Sequence, residues 1–537
     1  MLLRYWVTLV VLAALTFSSL VSGHELEGHA TDQNIAWYTG KHWSVGTSLP
    51  MYLQTLTPQK KFSLTGGEQI SVLKFKTQVA DEYVIDFRNS TLVGEYKHLL
   101  FDRNDKLVTL RQGGMLRTEP SEYFLRNGQN IRLGQGQYTL ITYQTSQFNI
   151  APPTPFIIEK SKYISQLRVG NSITLIGLGI LTALFFYYLV LSMVRASLID
   201  LTYALFILGN LLFNSTSLLV AADLFGLRWF GGASWPILFS NIAYIVFVMS
   251  LLQVSRTKNA ILWYIGVGIL TVFTSVLIAS IWFPHYQNEF NRLSVGVFLL
   301  YGITVGLRFS FQGRTIAQLY LLANVGFVVL GGIAISQEQI QGLQTIYMSH
   351  IGLLAVVCEV LLLSFVIAYQ MVILEADKSR ALKQAKEMLS IAQTDPLTRL
   401  PNRYAMEKHL LEVGKQNSFI YIDLDGLKLC NDSYGHDMGD KLLRLFSQKM
   451  LAALPNRCRL YRISGDEFGI ILDNDLEQQV VEAIYYIESE LKLIFDVHVG
   501  VSFGRAKFGE YLQYHQAIQA ADEDMYSNKK RKKAVTS

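Results

Sequence analysis

The chain has 537 residues, of which half are hydrophobic, 12% aromatic and 17% charged, with a net charge of +5. Soluble globular chains carry about 25% charged residues, and disordered chains carry fewer apolar ones, so the averages argue against both classes. The small positive excess calls for no nucleic-acid partner, because basic loops of a membrane protein account for it. The three cysteines, Cys358, Cys430 and Cys458, leave the N-terminal part without material for a disulfide framework.

Residues 1–23 read as a signal peptide. Arg4 is the basic start, Tyr5 to Phe17 the apolar stretch, and Val21-Ser22-Gly23 the small residues for cleavage. The competing reading is an uncleaved membrane helix, for which the stretch is short. Residues 24–165 are ordinary in polarity. Short runs alternate in the strand manner: Ile70–Phe75, Tyr83–Phe87, Leu107–Leu110, Asn130–Leu133, Tyr138–Tyr143 and Phe156–Ile158. Gly66-Gly67, Gly113-Gly114 and Asn127-Gly128 fall between runs, the pattern of an antiparallel β-sandwich. Trp37, Trp43 and Tyr52 are read as core or lid residues, with ligand stacking as the alternative.

Residues 170–373 read as seven apolar spans centred near Gly179, Asn210, Ala243, Leu270, Leu300, Val325 and Val360. Each is about 20 residues, enough to cross roughly 30 Å of hydrocarbon. Arg195, Arg256, Lys258 and Arg314 lie in loops on one side, followed by Lys378, Arg380, Lys383 and Lys386 after the last span; Arg228 and Arg292 lie on the other side. The basic side is the cytoplasmic one. A multi-pass membrane protein follows, with the sandwich outside the cytoplasm and the C-terminus inside it. Glu359 in the last span must face the bundle, with Asn210, Asn214 and Asn241 as candidate partners. Few spans are broken by Pro, which argues against a transporter. Residues 374–393 continue the last helix; Met371, Leu374, Ala381, Ala385, Met388 and Ala392 follow a 3-4 spacing that Lys378 interrupts, the pattern of a thin coiled-coil seam or of an amphipathic connector.

Residues 394–537 form a charged domain. A buried strand, Phe419-Ile420-Tyr421-Ile422-Asp423-Leu424-Asp425, ends in two carboxylates on one face, a donor set suited to Mg²⁺. Gly426-Leu427-Lys428 opens a helix whose free N–H groups and lysine suit phosphate. Asn431 and Asp440 offer the donors and acceptors that a guanine edge requires. A hairpin, Arg462-Ile463-Ser464-Gly465-Asp466-Glu467-Phe468, puts a second acid pair at its turn. Two acid pairs on neighbouring strands are the pattern of metal-assisted nucleotidyl transfer.

The motifs DPLTRLPNR, DLDGLKLCNDSYGHDMGD, RISGDEF, VSFG and AADEDMYSNKK, in this order, resemble the GGDEF domain of bacterial diguanylate cyclases over nearly all of residues 394–533. The upstream half resembles, more loosely, the seven-transmembrane receptors with diverse intracellular signalling modules. The resemblance implies a palm-like α+β domain that condenses two GTP into cyclic di-GMP. It makes Asp423, the Leu424 carbonyl, Asp466 and Glu467 ligands for Mg²⁺, with Mn²⁺ as a substitute. Asp466 and Glu467 are the implied catalytic acids. Asn431, Asp440, Lys428, Leu427, Gly465 and Lys529 are the implied substrate contacts. A homodimer follows, because each domain holds one GTP, and an extracytoplasmic ligand or partner is implied upstream.

Three departures stand out. Ser464 replaces the first signature glycine, and strains the turn if its φ is positive. Arg399 stands where the family has glycine. Pro455-Asn456-Arg457-Cys458 lacks the family's inhibitory RxxD pattern. The alternative reading, favoured by Ser464, is a catalytically silent domain that binds GTP or docks partners.

Overall fold

The computed structural model describes residues 30–59, 62–117, 121–335, 350–495 and 499–536. The signal-peptide segment, 1–23, lies outside them. The chain divides into two compact units, up to Val372 and from Ile373 onward.

In the first unit, nine strands are β1 (Ala30–Thr39), β2 (Thr57–Pro58), β3 (Gly67–Thr77), β4 (Asp81–Arg88), β5 (Glu95–Phe101), β6 (Leu107–Gly113), β7 (Gln129–Leu133), β8 (Gly136–Ser146) and β9 (Thr154–Glu159). They form a sheet of order β2-β1-β3-β8-β5-β6 and a smaller one of order β7-β4-β9, and every strand pair is antiparallel. Leu73, Phe75, Leu100 and Leu140 of the larger sheet bury against Tyr83, Ile85, Ile131 and Ile157 of the smaller, the core of a sandwich. Each predicted run lies inside a strand; β1, β2 and β5 were not foreseen. Helix α1 (Leu49–Thr55) caps one end. Tyr52 and Trp43 pack there with Leu49 and Phe101, as core residues do.

Apolar helices follow: α2 (Lys160–Arg195), α3 (Leu198–Ser217), the short α4 (Val220–Phe225), α5 (Trp235–Leu251), α6 (Ala260–Ala279), α7 (Gln287–Ser310), α8 (Thr315–Ile335) and α9 (Ile351–Gln393). All seven predicted spans coincide with one of them. Five are long and apolar enough to cross a bilayer unaided, while Trp235–Leu251 and Thr315–Val329 are shorter apolar stretches. This part of the chain is an integral membrane region.

Glu359 is fully buried, and neither carboxylate oxygen has a hydrogen-bond partner among the described residues. The asparagines proposed as its partners are used elsewhere. Asn210 Nδ2 donates to Ser240 Oγ (2.8 Å), Asn241 Nδ2 to Ser294 Oγ (2.7 Å) and Asn214 Nδ2 to the Asn210 carbonyl (2.8 Å). Asn210 and Asn241 tie helix to helix, the ordinary use of amides in a bilayer, while Asn214 bonds within its own helix.

The second unit holds β10 (Asn417–Asp425), β11 (Arg459–Ser464), β12 (Glu467–Asp473) and β13 (Gly500–Lys507), in one antiparallel sheet of order β11-β12-β10-β13. Its helices are α10 (Arg403–His409), α11 (Leu427–Tyr434), α12 (His436–Ala453), α13 (Glu477–Ile494) and α14 (Tyr514–Thr536). The period-2 alternation of β10 sends Ile420, Ile422 and Leu424 into a core with α12 and α13. Phe419 and Tyr421 enter a second core with α10 and α14. This is the expected α+β domain, helices on both faces of one sheet.

Candidate functional site

The site is built where β10, at the centre of the sheet, ends. Asp423 follows Phe419 and Tyr421 by alternation, so its side chain lies on the α14 face. In the β10–β12 register Asp423 stands opposite Glu467, and in the β10–β13 register opposite Ser502. The tight turn between β11 and β12 carries Gly465 and Asp466, and the Asp466 carbonyl accepts the Leu424 N–H at 3.0 Å. Acids from two neighbouring strands thus meet at one edge.

A cation already sits among them. Lys529 Nζ of α14 donates to Asp423 Oδ1 at 2.5 Å and lies 3.5 Å from Asp425 Oδ1. Ser502 Oγ donates to Asp425 Oδ2 at 2.6 Å. Burial raises the pKa of Asp423, and the nearby Asp466 and Asp425 add to this against the pull of Lys529. Burial likewise raises Glu467, with Asp466 and Asp423 adding and the Tyr421 hydroxyl opposing. Burial lowers Lys529, but its hydrogen bond and attraction to Asp423 and Asp425 win, and its pKa is raised. The donors gathered here are all oxygens, the kind a hard divalent cation takes, but among the described residues no group of three or more acids is drawn closely enough together to hold one.

Gly426 has φ +85 and precedes α11, a conformation that favours glycine. Leu427 is half-buried and Lys428 exposed on the first turn of α11. Asn431, on the same helix, packs against α12: a Cβ on Gly439 would come within 1.9 Å of Asn431 Oδ1. Gly439 is therefore the gap that lets Asn431 lie beside the start of α12, where Asp440, 3.8 Å from Arg444, is next in sequence. The structure brings Asp423, Asp466, Glu467 and Lys529 together, and separately joins Asn431 to the segment of Asp440.

Two residues that bear on the site were not foreseen. Arg462 donates through Nε and Nη2 to the Gly465 carbonyl (3.0 and 2.7 Å) and through Nη1 to Asp395 Oδ1 (3.0 Å). Asp395, present in the sequence reading only as the first residue of DPLTRLPNR, anchors the acid turn through Arg462. The signal available was the position of Arg462 inside RISGDEF. Ser464 is the last residue of β11, paired with Glu467, and its φ is not positive. Arg399 does have positive φ, +61. The strain considered at the signature serine lies instead at the exposed arginine.

A sheet with helices on both faces and an acid hairpin at its end, in a chain with a helical membrane region, defines a membrane protein that carries a separate α+β domain. A family model for the GGDEF domain of diguanylate cyclases matches residues 392–534, and one for the 7TM region of diverse intracellular signalling proteins matches residues 170–370. The chain thus joins a GGDEF domain to a 7TM signalling region. It is 37% identical over 159 residues to the cyclic di-GMP phosphodiesterase PdeR of Escherichia coli strain K12, covering 27% of this chain and 24% of that one. It is 31% identical over 151 residues to the diguanylate cyclase DosC of the same strain, covering 26% and 33%. The matches span only about a quarter to a third of these relatives. The coiled coil and GGDEF domain of DgcB from Caulobacter crescentus, solved with c-di-GMP, is 21% identical, covers 30% of this chain and 94% of that one, and has a TM-score of 0.28.

Proposed function

We propose that this protein is a membrane receptor whose GGDEF domain joins two GTP into cyclic di-GMP and two pyrophosphates. The reading rests on one observation above the others: Asp423 and Glu467 face each other in register beside Asp466, with Lys529 drawn in among the carboxylates. Asp423, the Leu424 carbonyl, Asp466 and Glu467 would hold Mg²⁺ or Mn²⁺. When bound, the ion offsets phosphate charge and acidifies a bound hydroxyl.

The residues of the chain bind, orient and move a proton. Asn431 and Asp440 hold the guanine edge, and Leu427 packs beside it. Lys428 and Lys529 hold the terminal phosphates, Lys529 exchanging its carboxylate partners for phosphate oxygens. Gly465 leaves the turn bare, with no heavy atom within 4 Å of where a Cβ would stand, so phosphate can approach. Asp466 takes the proton of the 3′-hydroxyl. That oxygen bonds to the α-phosphorus of the GTP on a second copy, and the bond to the β-phosphate oxygen breaks to release pyrophosphate. Two chains must face each other, and alignment of the two nucleotides is the main catalytic contribution. The distribution of basic loops supports an inner-membrane protein with its GGDEF domain in the cytoplasm and its sandwich in the periplasm, and an external ligand or partner sets how often two domains meet.

The test is the full chain in lipid nanodiscs with GTP and Mg²⁺, with cyclic di-GMP measured against Asp466→Ala. The expected loss is at least about 10²-fold. GTP binding without product, even after fusion to a strong dimerisation helix, would replace this reading with the silent-receptor one. The non-positive φ of Ser464 removes the strain that favoured that alternative.

A further inference from the structure

The sandwich and the membrane helices of the first unit are locked together. Thr91 Oγ1 donates to the Ser217 carbonyl at 2.5 Å, the Leu125 N–H donates to Asp223 Oδ2 at 2.6 Å, and Phe148 meets Phe230 edge-on at 5.0 Å. Between them lies a cleft of about 180 Å³. One wall is sandwich: Tyr96, Gln112, Glu122 and Gln129. The other is the connector between α3 and α5: Asp223 and Arg228.

The sandwich wall is preorganised. Tyr96 Oη donates to the Asn127 carbonyl (2.8 Å) and accepts from Gln129 Nε2 (3.1 Å), all buried. The side chain of Glu122 is fixed by Asn130, whose N–H and Nδ2 both donate to Oε2 (3.0 and 2.6 Å). Glu122 and Asp223 thus each commit one oxygen to the backbone of the sandwich. Gly113, also on the wall, has no room for a side chain, since a Cβ would meet the Tyr96 hydroxyl at 2.5 Å.

We propose that this cleft binds a small zwitterionic metabolite of amino-acid size. The proposal rests on the receptor reading above and supplies the ligand class and the place where it acts. The cleft carries both charge signs: Arg228 and Asp223 attract each other across it, and Glu122 lines the wall beside them. A lone anion would meet two carboxylates and a lone cation a guanidinium, each a like-charge juxtaposition, whereas a zwitterion meets an opposite charge at both ends. The volume falls below the roughly 300–1,000 Å³ of sites for larger organic ligands, which excludes oligosaccharides and lipids. Because the walls belong to the sandwich and to the connector between two membrane helices, occupancy stabilises one arrangement of the two parts over others.

The test uses the full chain in nanodiscs without GTP, so that its outcome is independent of cyclase activity. Thermal unfolding and calorimetric titration are run with glycine, L-alanine, L-serine and glycine betaine, with acetate and methylammonium as single-charge controls. At least one zwitterion is expected to raise the midpoint saturably while both controls fail. Arg228→Gln is expected to weaken that binding by about tenfold or more. Gln112→Trp, at an exposed strand position, narrows the cleft and is expected to do the same, and carries the test alone if Arg228→Gln does not fold. No saturable shift from any zwitterion, equal binding by acetate or methylammonium, or wild-type binding in the folded variants would each overturn the proposal.

Discussion

At the scale of single residues, Ser464 and Arg399 both stand where the family has glycine, and their backbones differ: φ is positive at Arg399 and not at Ser464. Ser464 interrupts the signature, yet it ends a strand with an ordinary backbone and needs no compensation. Arg399 lies outside the acid motifs. Its φ of +61 puts a Cβ in the left-handed region, worth roughly 1–2 kcal/mol against an L-residue. Glycine relieves that but loses chain entropy on folding, about 0.4–1 kcal/mol. Arg399→Gly is therefore expected to stabilise the C-terminal domain by about 0.5–1 kcal/mol, read as a raised denaturation midpoint, while Ser464→Gly gains nothing. A sequence cannot reveal this, because φ is set by the turn that closes when the Arg399 N–H bonds to the Asp395 carbonyl at 2.9 Å. Asp395 illustrates the same limit. Burial alone would raise its pKa, but the Thr398 hydroxyl and N–H and the Arg462 guanidinium together lower it. A depressed carboxylate pKa adds stability that is present above the unfolded-state value and lost as pH falls through the folded-state value. Asp395→Asn is expected to cost about 1–3 kcal/mol at neutral pH and to flatten the acid side of the stability profile. An unchanged profile in denaturant titrations between pH 7 and pH 3 would show that the anchor contributes nothing.

Among elements, legibility followed the regularity of each pattern. β10 is a continuous apolar run ending in acids, and was read correctly down to the face its carboxylates share. β5 was missed because Lys97 and His98 interrupt its apolar residues. In the fold His98 is fully buried, ring-stacked with Phe87 at 5.4 Å and bonded through Nδ1 to Thr142 Oγ1 at 2.7 Å. Burial lowers its pKa to about 3, so it is a neutral core residue. The placement of Lys529 was likewise invisible, because it depends on how closely α14 packs on β13. Gly504 decides that: a Cβ there would stand 2.1 Å from both the Ala521 carbonyl oxygen and the Met525 amide nitrogen. Backbone atoms cannot rotate aside, so Gly504→Ala must push the helix away, at about 1–3 kcal/mol for overpacking. Lys529 lies one turn beyond Met525 and moves with it. The expected result is a lower melting temperature together with a raised KM for GTP. A variant with lower stability and unchanged KM would separate helix seating from nucleotide binding.

At the scale of the molecule, hydropathy made the membrane region readable, since crossing hydrocarbon demands long apolar helices whatever the partners. The cleft between sandwich and helices was not readable, because its walls join residues as distant as Leu125 and Asp223. α9 belongs to both kinds of signal. It runs unbroken from Ile351 in the bundle to Gln393, at the start of the GGDEF domain. Beyond the membrane part, Leu374 and Met388 are 60% and 71% exposed in a single chain. Together with Ala381 they recur every seven residues, and Ala385 and Ala392 fall on the adjacent seam position, the arrangement that a second helix covers. The proposed reaction needs two GTP-loaded domains, so its rate at low protein concentration must follow the dimer fraction. Met388→Asp places two carboxylates in that seam. It is expected to weaken self-association by about tenfold or more and to lower cyclic di-GMP formation by the same factor at limiting protein. GTP binding per chain stays unchanged, because Met388 lies outside the nucleotide site. Raising the concentration, or fusing a strong dimerisation helix, should then restore the rate. A variant that matches the wild type at every concentration would place the dimer contact elsewhere, and one that loses GTP binding as well would show damage to the domain itself.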